Sequence, residues 1–243
     1  MANIEIGRRI FMSGALATLV ATGRARAADA PASAPAPTIV PIQAEVEHIV
    51  ARFMIRAKAF LPGVKAPKVV ISFTPQLSWI EDDGSAIHTV AWSQCPPDMQ
   101  GFFAQILGKT PPMPPAQFFH DAFNTFLVPH EMSHFVDARR GHLKNGGNFY
   151  GGEVRANRIA VAFWLKEKHG RARMEKLMNA VAVAESNLPS PVPAGQDKVA
   201  YFNANYLDLL NDPSKYGWYQ FRMFLDAWDQ RDTSDFDKLL SEA

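Results

Sequence analysis

The stretch His130-Glu131-Met132-Ser133-His134 decides most about this chain, because two histidines stand four residues apart with a glutamate next to the first. On an α-helix, positions four apart lie on the same face, one turn from each other. Such a helix presents both imidazoles to a single metal ion, and Glu131 then points at whatever that ion binds. The pattern predicts His130 and His134 as metal ligands and Glu131 as a catalytic base. The alternative is that both are core histidines with no metal, although two unpaired imidazoles at this spacing would be costly to bury.

Apolar residues recur three and four positions apart on both sides of this motif, which predicts a buried or half-buried helix. They are Phe118, Phe119, Ala122, Phe123, Phe126, Leu127, Met132, Phe135 and Val136. Pro129 has no amide hydrogen and its ring crowds the carbonyl four residues back, so a helix running from Ala116 to Arg139 would be kinked there. The alternative is a motif helix that begins at Pro129, where no donor is lost.

A catalytic zinc ion with two histidine ligands needs a third protein ligand. The metzincin pattern is excluded, because Asp137 and Arg140 stand where it needs glycine and a ligand; Asp137 is expected to pair with a nearby arginine or with solvent. Glu153 is the better candidate, since it opens an amphipathic segment, Glu153 to His169. The alternative for Glu153 is an ordinary acid at a helix N-terminus, favoured by the helix dipole.

These residues resemble the motif of the gluzincins, the thermolysin-like zinc peptidases, in which H-E-x-x-H is followed by a glutamate on a second helix packed beside the first. The resemblance covers about Phe118 to Lys166. It implies Zn²⁺ as the cofactor, held by His130, His134 and Glu153, and a peptide or protein as the substrate. A carboxylate four residues after the glutamate orients the first histidine in that family. Here Asn157 takes that position, and its uncharged oxygen raises ligand basicity less; the alternative for Asn157 is plain helix surface.

The resemblance also implies a mechanism, in which a zinc-bound water activated by Glu131 attacks a peptide carbonyl. A tyrosine or histidine of the later lobe stabilises the oxyanion in gluzincins, and Tyr216, Tyr219 and Arg222 are the candidates here. The alternative for each of these three is packing or surface, since aromatic residues at helical spacing are usually core. Hydrolysis of a non-peptide amide stays open as a further activity.

The rival function is that of a non-catalytic zinc-binding or scaffolding protein on a degenerate peptidase fold. Glu131 argues against it, because a structural ion has no use for an adjacent carboxylate that does not bind it. Structural zinc also takes four protein ligands, mostly sulfur, and Cys95 is the only cysteine of the chain. The single cysteine excludes an intrachain disulfide as well.

The fold class expected is α+β and zincin-like: a small sheet and the active-site helix in an N-terminal lobe, then a mainly helical C-terminal lobe. Strands are predicted at Lys68 to Thr74 and at Ala86 to Trp92, the second after a turn at Asp82-Asp83-Gly84. The resemblance implies that Ala86 to Trp92 is the edge strand that pairs with the substrate; an ordinary core strand is the alternative. Further helices are predicted at Ile42 to Phe60, Asp98 to Leu107, Arg171 to Leu188, Lys198 to Leu210, Trp218 to Arg231 and Asp235 to Leu240.

Residues 1–27 resemble a twin-arginine export signal, with Arg8 and Arg9 ahead of a weakly apolar stretch and a cleavage site at Ala25-Arg26-Ala27. A plain Sec signal is the alternative. Residues 28–41 are rich in proline and alanine and are predicted to be a linker, and residues 42–243 to be the metallopeptidase domain. The expected location is periplasmic or secreted.

Charge and composition argue against two classes of partner, nucleic acid and the membrane interior. The net charge is +1 for the whole chain and about −2 once the basic signal is removed, which does not suggest a nucleic-acid partner. No segment is long and apolar enough for stable membrane insertion. Hydrophobic residues make up 47% of the chain, ample for the core of one domain.

Overall fold

A computed structural model describes residues 39–74, 77–141 and 147–242. The predicted export signal and most of the predicted linker lie outside the described residues. The helices are α1 (Ile39–Arg56), α2 (Pro97–Leu107), α3 (Pro115–Phe119), α4 (Leu127–Arg139), α5 (Phe149–Leu165), α6 (Gly170–Ser186), α7 (Lys198–Leu210), α8 (Pro213–Asp229) and α9 (Phe236–Ser241). The strands are β1 (Lys68–Ile71), β2 (Ser78–Ile80) and β3 (Ala86–Thr89). The predicted α+β class is confirmed.

The starts of α1 and α8 are among the predicted helix boundaries that move. Helix α1 begins at Ile39, so the last residues of the predicted linker are helical, and Pro41 stands in the first turn, where its missing amide hydrogen does no harm. Helix α8 begins at Pro213 rather than Trp218, because the Asp212 side chain accepts hydrogen bonds from the amides of Ser214 and Lys215.

The sheet has the strand order β1-β3-β2, with β1 parallel and β2 antiparallel to β3. The predicted edge strand, Ala86 to Trp92, is therefore wrong: the strand ends at Thr89 and is central. The cause is β2, which turns back at Gly84 and pairs along the outer side of β3. Gly84 has a φ of 66°, and its amide donates to the Glu81 carbonyl at 2.7 Å. Of the two outer strands, β2 packs against the motif helix α4 and β1 packs against α1.

The helix that carries the motif is part of a longer helical stretch. Helix α3 continues into a π-helix, His120–Phe126, and then into α4. In the wide turn, the Leu127 amide donates to the Ala122 carbonyl five residues back. Pro129 follows as the third residue of α4. The chain thus stays helical from Pro115 to Arg139, so the alternative of a motif helix that begins at Pro129 is wrong, and the π turn ends three residues before Pro129.

Two hydrophobic clusters hold the helices together. The larger one joins α1, the sheet and helices α2 to α6 with part of α8 and α9. The smaller one lies between the start of α5, α7 and α8, and it consists of Tyr150, Phe202, Tyr206, Leu209, Leu210, Tyr216, Tyr219 and Met223. None of the described helices has both the length and the apolar content that crossing a membrane requires. Helices α5 and α8 belong to both clusters and so connect them.

Candidate metal centre

Two neighbouring helices supply the predicted ligands. Helix α4 carries His130 and His134, and α5 packs against it and carries Glu153. Helix α5 begins at Phe149, because the Asn148 side chain caps it by accepting a hydrogen bond from the Gly151 amide at 3.0 Å. Glu153 therefore lies in the second turn. The alternative that it is a helix-terminal acid is wrong, and its carboxylate faces the two imidazoles instead.

The ligand atoms of these three residues converge. His130 Nε2 lies 3.2 Å from His134 Nε2 and 3.2 Å from Glu153 Oε2, and His134 Nε2 lies 3.6 Å from Glu153 Oε1. A tetrahedral zinc ion bonded at about 2.0–2.1 Å separates its ligand atoms by about 3.3 Å. All three residues are buried. Among the described residues, they form the one group of three or more metal-binding side chains that could hold an ion.

The protonation states suit a metal ligand set. Burial alone would raise the pKa of Glu153, but the charge of His134 and the hydrogen bond with His130 outweigh it and hold that pKa well below its usual range. Burial alone would lower the pKa of His130, but Glu153 raises it above its ordinary value. Glu153 is consequently ionised, and the cluster attracts positive charge. A divalent cation bound to the Nε2 atoms would displace the protons there and would balance the negative charge of Glu153.

Asn157 orients the first histidine. It lies one turn after Glu153 on α5, fully buried, and its Oδ1 is 2.7 Å from His130 Nδ1. Oxygen can only accept, so Nδ1 of His130 carries a proton, and Nε2 is the nitrogen that a metal ion would bind. This is the contact that the gluzincin resemblance implied. The alternative that Asn157 is helix surface is wrong.

Glu131 is buried beside the ligands, with 8% of its surface exposed. Its charge adds to the pKa increase of His130 and to that of Tyr216. The predicted base is thus within electrostatic reach of the ligand cluster and of one predicted oxyanion stabiliser.

The three candidate oxyanion stabilisers of α8 lie in different surroundings. Tyr216 is buried, its hydroxyl oxygen accepts a hydrogen bond from Gln220 Nε2 at 2.6 Å, and burial followed by the charge of Glu153 raises its pKa well above the usual range. Tyr219 donates its hydroxyl to the Lys198 carbonyl at 2.9 Å. Arg222 forms an ion pair with Asp226 at 3.0 Å. The structure brings Tyr216 toward the ligands and engages Tyr219 and Arg222 elsewhere; the catalytic role of each stays a prediction.

Sequence reasoning missed two features of this region. Asp137 pairs with Arg155 of α5, a partnership between distant residues that has no local signal. Gln220, the partner of Tyr216, was also missed, although it lies on the same face of α8 four residues later.

Comparisons of the chain with protein-family models, with curated proteins and with solved structures give no match.

Proposed function

We propose that this protein is an exported zinc-dependent metallopeptidase with a zincin-like fold. The observation that carries the proposal is the convergence of His130, His134 and Glu153 around one point on two packed helices, with a further buried carboxylate, Glu131, next to His130 in the chain. Export rests on the twin-arginine-like start of the sequence. Cell fractionation tests it, and finding the protein only in the cytoplasm would contradict it.

The donor set favours zinc over Ca²⁺ and Mg²⁺. Two imidazole nitrogens and one carboxylate oxygen suit Zn²⁺, whereas Ca²⁺ and Mg²⁺ prefer oxygen ligands alone. Three protein ligands leave a fourth position for water or substrate, the pattern of catalytic sites. When bound, zinc polarises a carbonyl and lowers the pKa of bound water to about 7.

Glu131 supplies the proton transfers of peptide hydrolysis. Its carboxylate accepts a proton from the attacking water while the water oxygen bonds to the carbonyl carbon of the peptide. The same proton then passes to the amide nitrogen as the carbon–nitrogen bond breaks, so one water is consumed and a carboxylic acid and an amine are released. The buried position of Glu131 suits a group that must exchange a proton away from bulk water.

Tyr216 is the candidate for stabilising the negative charge that develops on the carbonyl oxygen. Its raised pKa keeps the phenol protonated, so that it can donate a hydrogen bond. Gln220 Nε2 donates to the phenol oxygen, which leaves the phenol proton to be donated away from Gln220.

The outer edge of β2, on the side away from β3, is the candidate surface for the substrate main chain. The Glu81 amide donates to the Ala86 carbonyl, and Trp79, two residues earlier, is paired with His88. Main-chain groups alternate in direction along an antiparallel strand, so those of Ser78 and Ile80 point away from β3. Strand β2 packs against α4. An extended peptide that adds to this edge would lie beside the motif helix, held by main-chain hydrogen bonds without a sequence requirement.

Substitution of Glu131 separates catalysis from metal binding. We expect Glu131→Gln to keep bound zinc and to lower peptide turnover at least ~100-fold, because the amide cannot accept the proton. Zinc content by atomic absorption and cleavage of a quenched fluorescent peptide measure the two effects. Glu175→Gln, an exposed change on α6, is the matched control. If Glu131→Gln cleaved as fast as the wild type, the proposed function would be wrong.

A further inference from the structure

An ion pair joins α4 and α5 close to the candidate ligands. Arg155 Nη1 donates to both oxygens of Asp137, at 2.9 and 3.0 Å. Asp137 follows His134 by less than one turn of α4, and Arg155 lies two residues after Glu153 on α5. The side chains are only 10% and 20% exposed, so water screens this pair less than a surface pair.

The same guanidinium also fixes α9. Arg155 Nη2 and Nε donate to the Leu239 carbonyl at 2.9 and 3.2 Å, and Arg140, at the end of α4, donates to the Leu240 carbonyl at 2.6 Å. The last carbonyls of a helix have no partner within it and carry the negative end of its dipole. Two arginines therefore satisfy the end of α9, and α4, α5 and α9 meet at Arg155.

We propose that Asp137 and Arg155 are positioning residues of the metal centre, an inference that rests on the proposed metal site. Apolar contacts between α4 and α5 are non-directional and tolerate small sliding movements. A charged hydrogen-bonded pair between the helices specifies their relative position. Glu153 must meet His130 and His134 within a few tenths of an ångström, because zinc–ligand distances vary little.

This role differs from that of Asn157. Asn157 contacts a ligand and sets the orientation of one imidazole ring. Asp137 and Arg155 are bonded to each other, Arg155 is also bonded to α9, and the pair acts through the placement of whole helices. Their loss should therefore weaken metal binding and change the coordination geometry without changing the protonation of His130.

Zinc affinity of matched variants tests the proposal. We expect Asp137→Asn and Arg155→Met to bind zinc about tenfold more weakly than the wild type. The control is Glu167→Gln, which removes an equally buried carboxylate, 12% exposed, from its ion pairs with Arg52 and Arg56. Competition with a chromophoric chelator gives Kd, and thermal unfolding of the zinc-free variants, well above the assay temperature, shows that each is folded. The control should bind zinc like the wild type.

Two results would overturn the proposal: wild-type zinc affinity in both Asp137→Asn and Arg155→Met, or an equal loss in Glu167→Gln. Arg155→Lys keeps the charge and should lose less zinc affinity than Arg155→Met. This difference tests the positioning role if Asp137→Asn does not fold. The visible spectrum of the Co²⁺-substituted protein should shift in the Asp137 and Arg155 variants only, because it reports ligand geometry. Zinc binding without hydrolysis in the wild type would contradict the proposed function alone, and absence of zinc binding would overturn both.

Discussion

Two clusters around buried histidines lie on the continuous helical stretch Pro115–Arg139, and their difference shows what makes one of them a candidate metal site. In the first, His120 contacts Glu45 at 2.9 Å and Asp121 at 3.4 Å, and Arg173 contacts Asp121 at 2.7 Å. In the second, His130 and His134 meet Glu153.

The clusters differ in how their charge is compensated. The His120 cluster holds two carboxylates, one guanidinium and one imidazole that both carboxylates keep protonated, so it is neutral as folded. The His130 cluster combines two imidazoles with one carboxylate, and its nitrogen lone pairs suit a metal ion. Arginine thus takes in one cluster the place that zinc would take in the other. Histidine and carboxylate are present in both clusters, so the cation that balances the carboxylate charge is what separates an ion-pair cluster from a candidate metal centre.

Removing one carboxylate from each cluster should give the largest difference in zinc binding between the two clusters. We expect Glu153→Ala to weaken zinc binding at least ~100-fold, because a ligand and the only carboxylate of the set are lost. Glu45→Ala, the counterpart in the His120 cluster, should bind zinc like the wild type. Isothermal titration with Zn²⁺ measures both, and equal affinities for zinc in the two variants would remove the distinction.

The hydrogen bond that Asn157 accepts from His130 is a second difference between the clusters. We expect Asn157→Leu to weaken zinc binding about 10–100-fold, because His130 Nδ1 loses its acceptor and the ring is no longer held in one tautomer. Asn179→Leu, an exposed change on α6, controls for the substitution itself. Zinc affinity unchanged in Asn157→Leu would show that the contact does not tune the ligand.

Arg173→Met should affect stability and not metal binding. It removes the guanidinium from the buried Asp121 carboxylate, which keeps only His120 as a cationic contact among the described residues, and it removes the donor to Thr125 Oγ1 at 2.8 Å. We expect a loss of about 1–3 kcal/mol in the free energy of unfolding, with zinc affinity unchanged. Urea unfolding of the zinc-free proteins and zinc titration of the folded ones measure the two quantities. A loss of zinc affinity in Arg173→Met would mean that the clusters are coupled.

The smallest expected effect is a pH dependence in the His120 cluster. Burial alone would lower the pKa of His120, but Asp121 and Glu45 raise it to about 9. The folded pKa lies above the ordinary 6.5, so protonated His120 stabilises the fold fully below about pH 6.5, and this contribution is lost as the pH rises through 9. We expect the stability advantage of the wild type over His120→Gln to fall by about 1–2 kcal/mol between pH 6 and pH 10, since Glu45 is partly exposed. Urea titrations at each pH measure it; a constant difference would contradict the assignment.

The ligand set was predictable from the sequence because its chemistry is local. His130 and His134 are one helical turn apart, and the gluzincin resemblance singled out Glu153 and Asn157 on the next helix. The start of α5 was missed because Gly151 and Gly152 are poor helix formers, and the Asn148 cap outweighs them.

The features that were not predictable depend on distant pairing. Strand β2 has three residues, too few for a periodic pattern, and its place outside β3 makes the expected edge strand central. The His120 cluster joins residues of α1, the π-helix and α6. Arg155 finds its partners on α4 and α9. Each of these depends on tertiary contacts that no local spacing encodes.

Anomalous diffraction at the zinc edge from crystals of the zinc-loaded protein tests the central claim most directly. It should show one ion within about 2.0–2.2 Å of His130 Nε2, His134 Nε2 and a Glu153 oxygen, and no zinc in the His120 cluster. Crystals without zinc at this position, or with zinc bound elsewhere and Glu153 turned away from both imidazoles, would contradict the account.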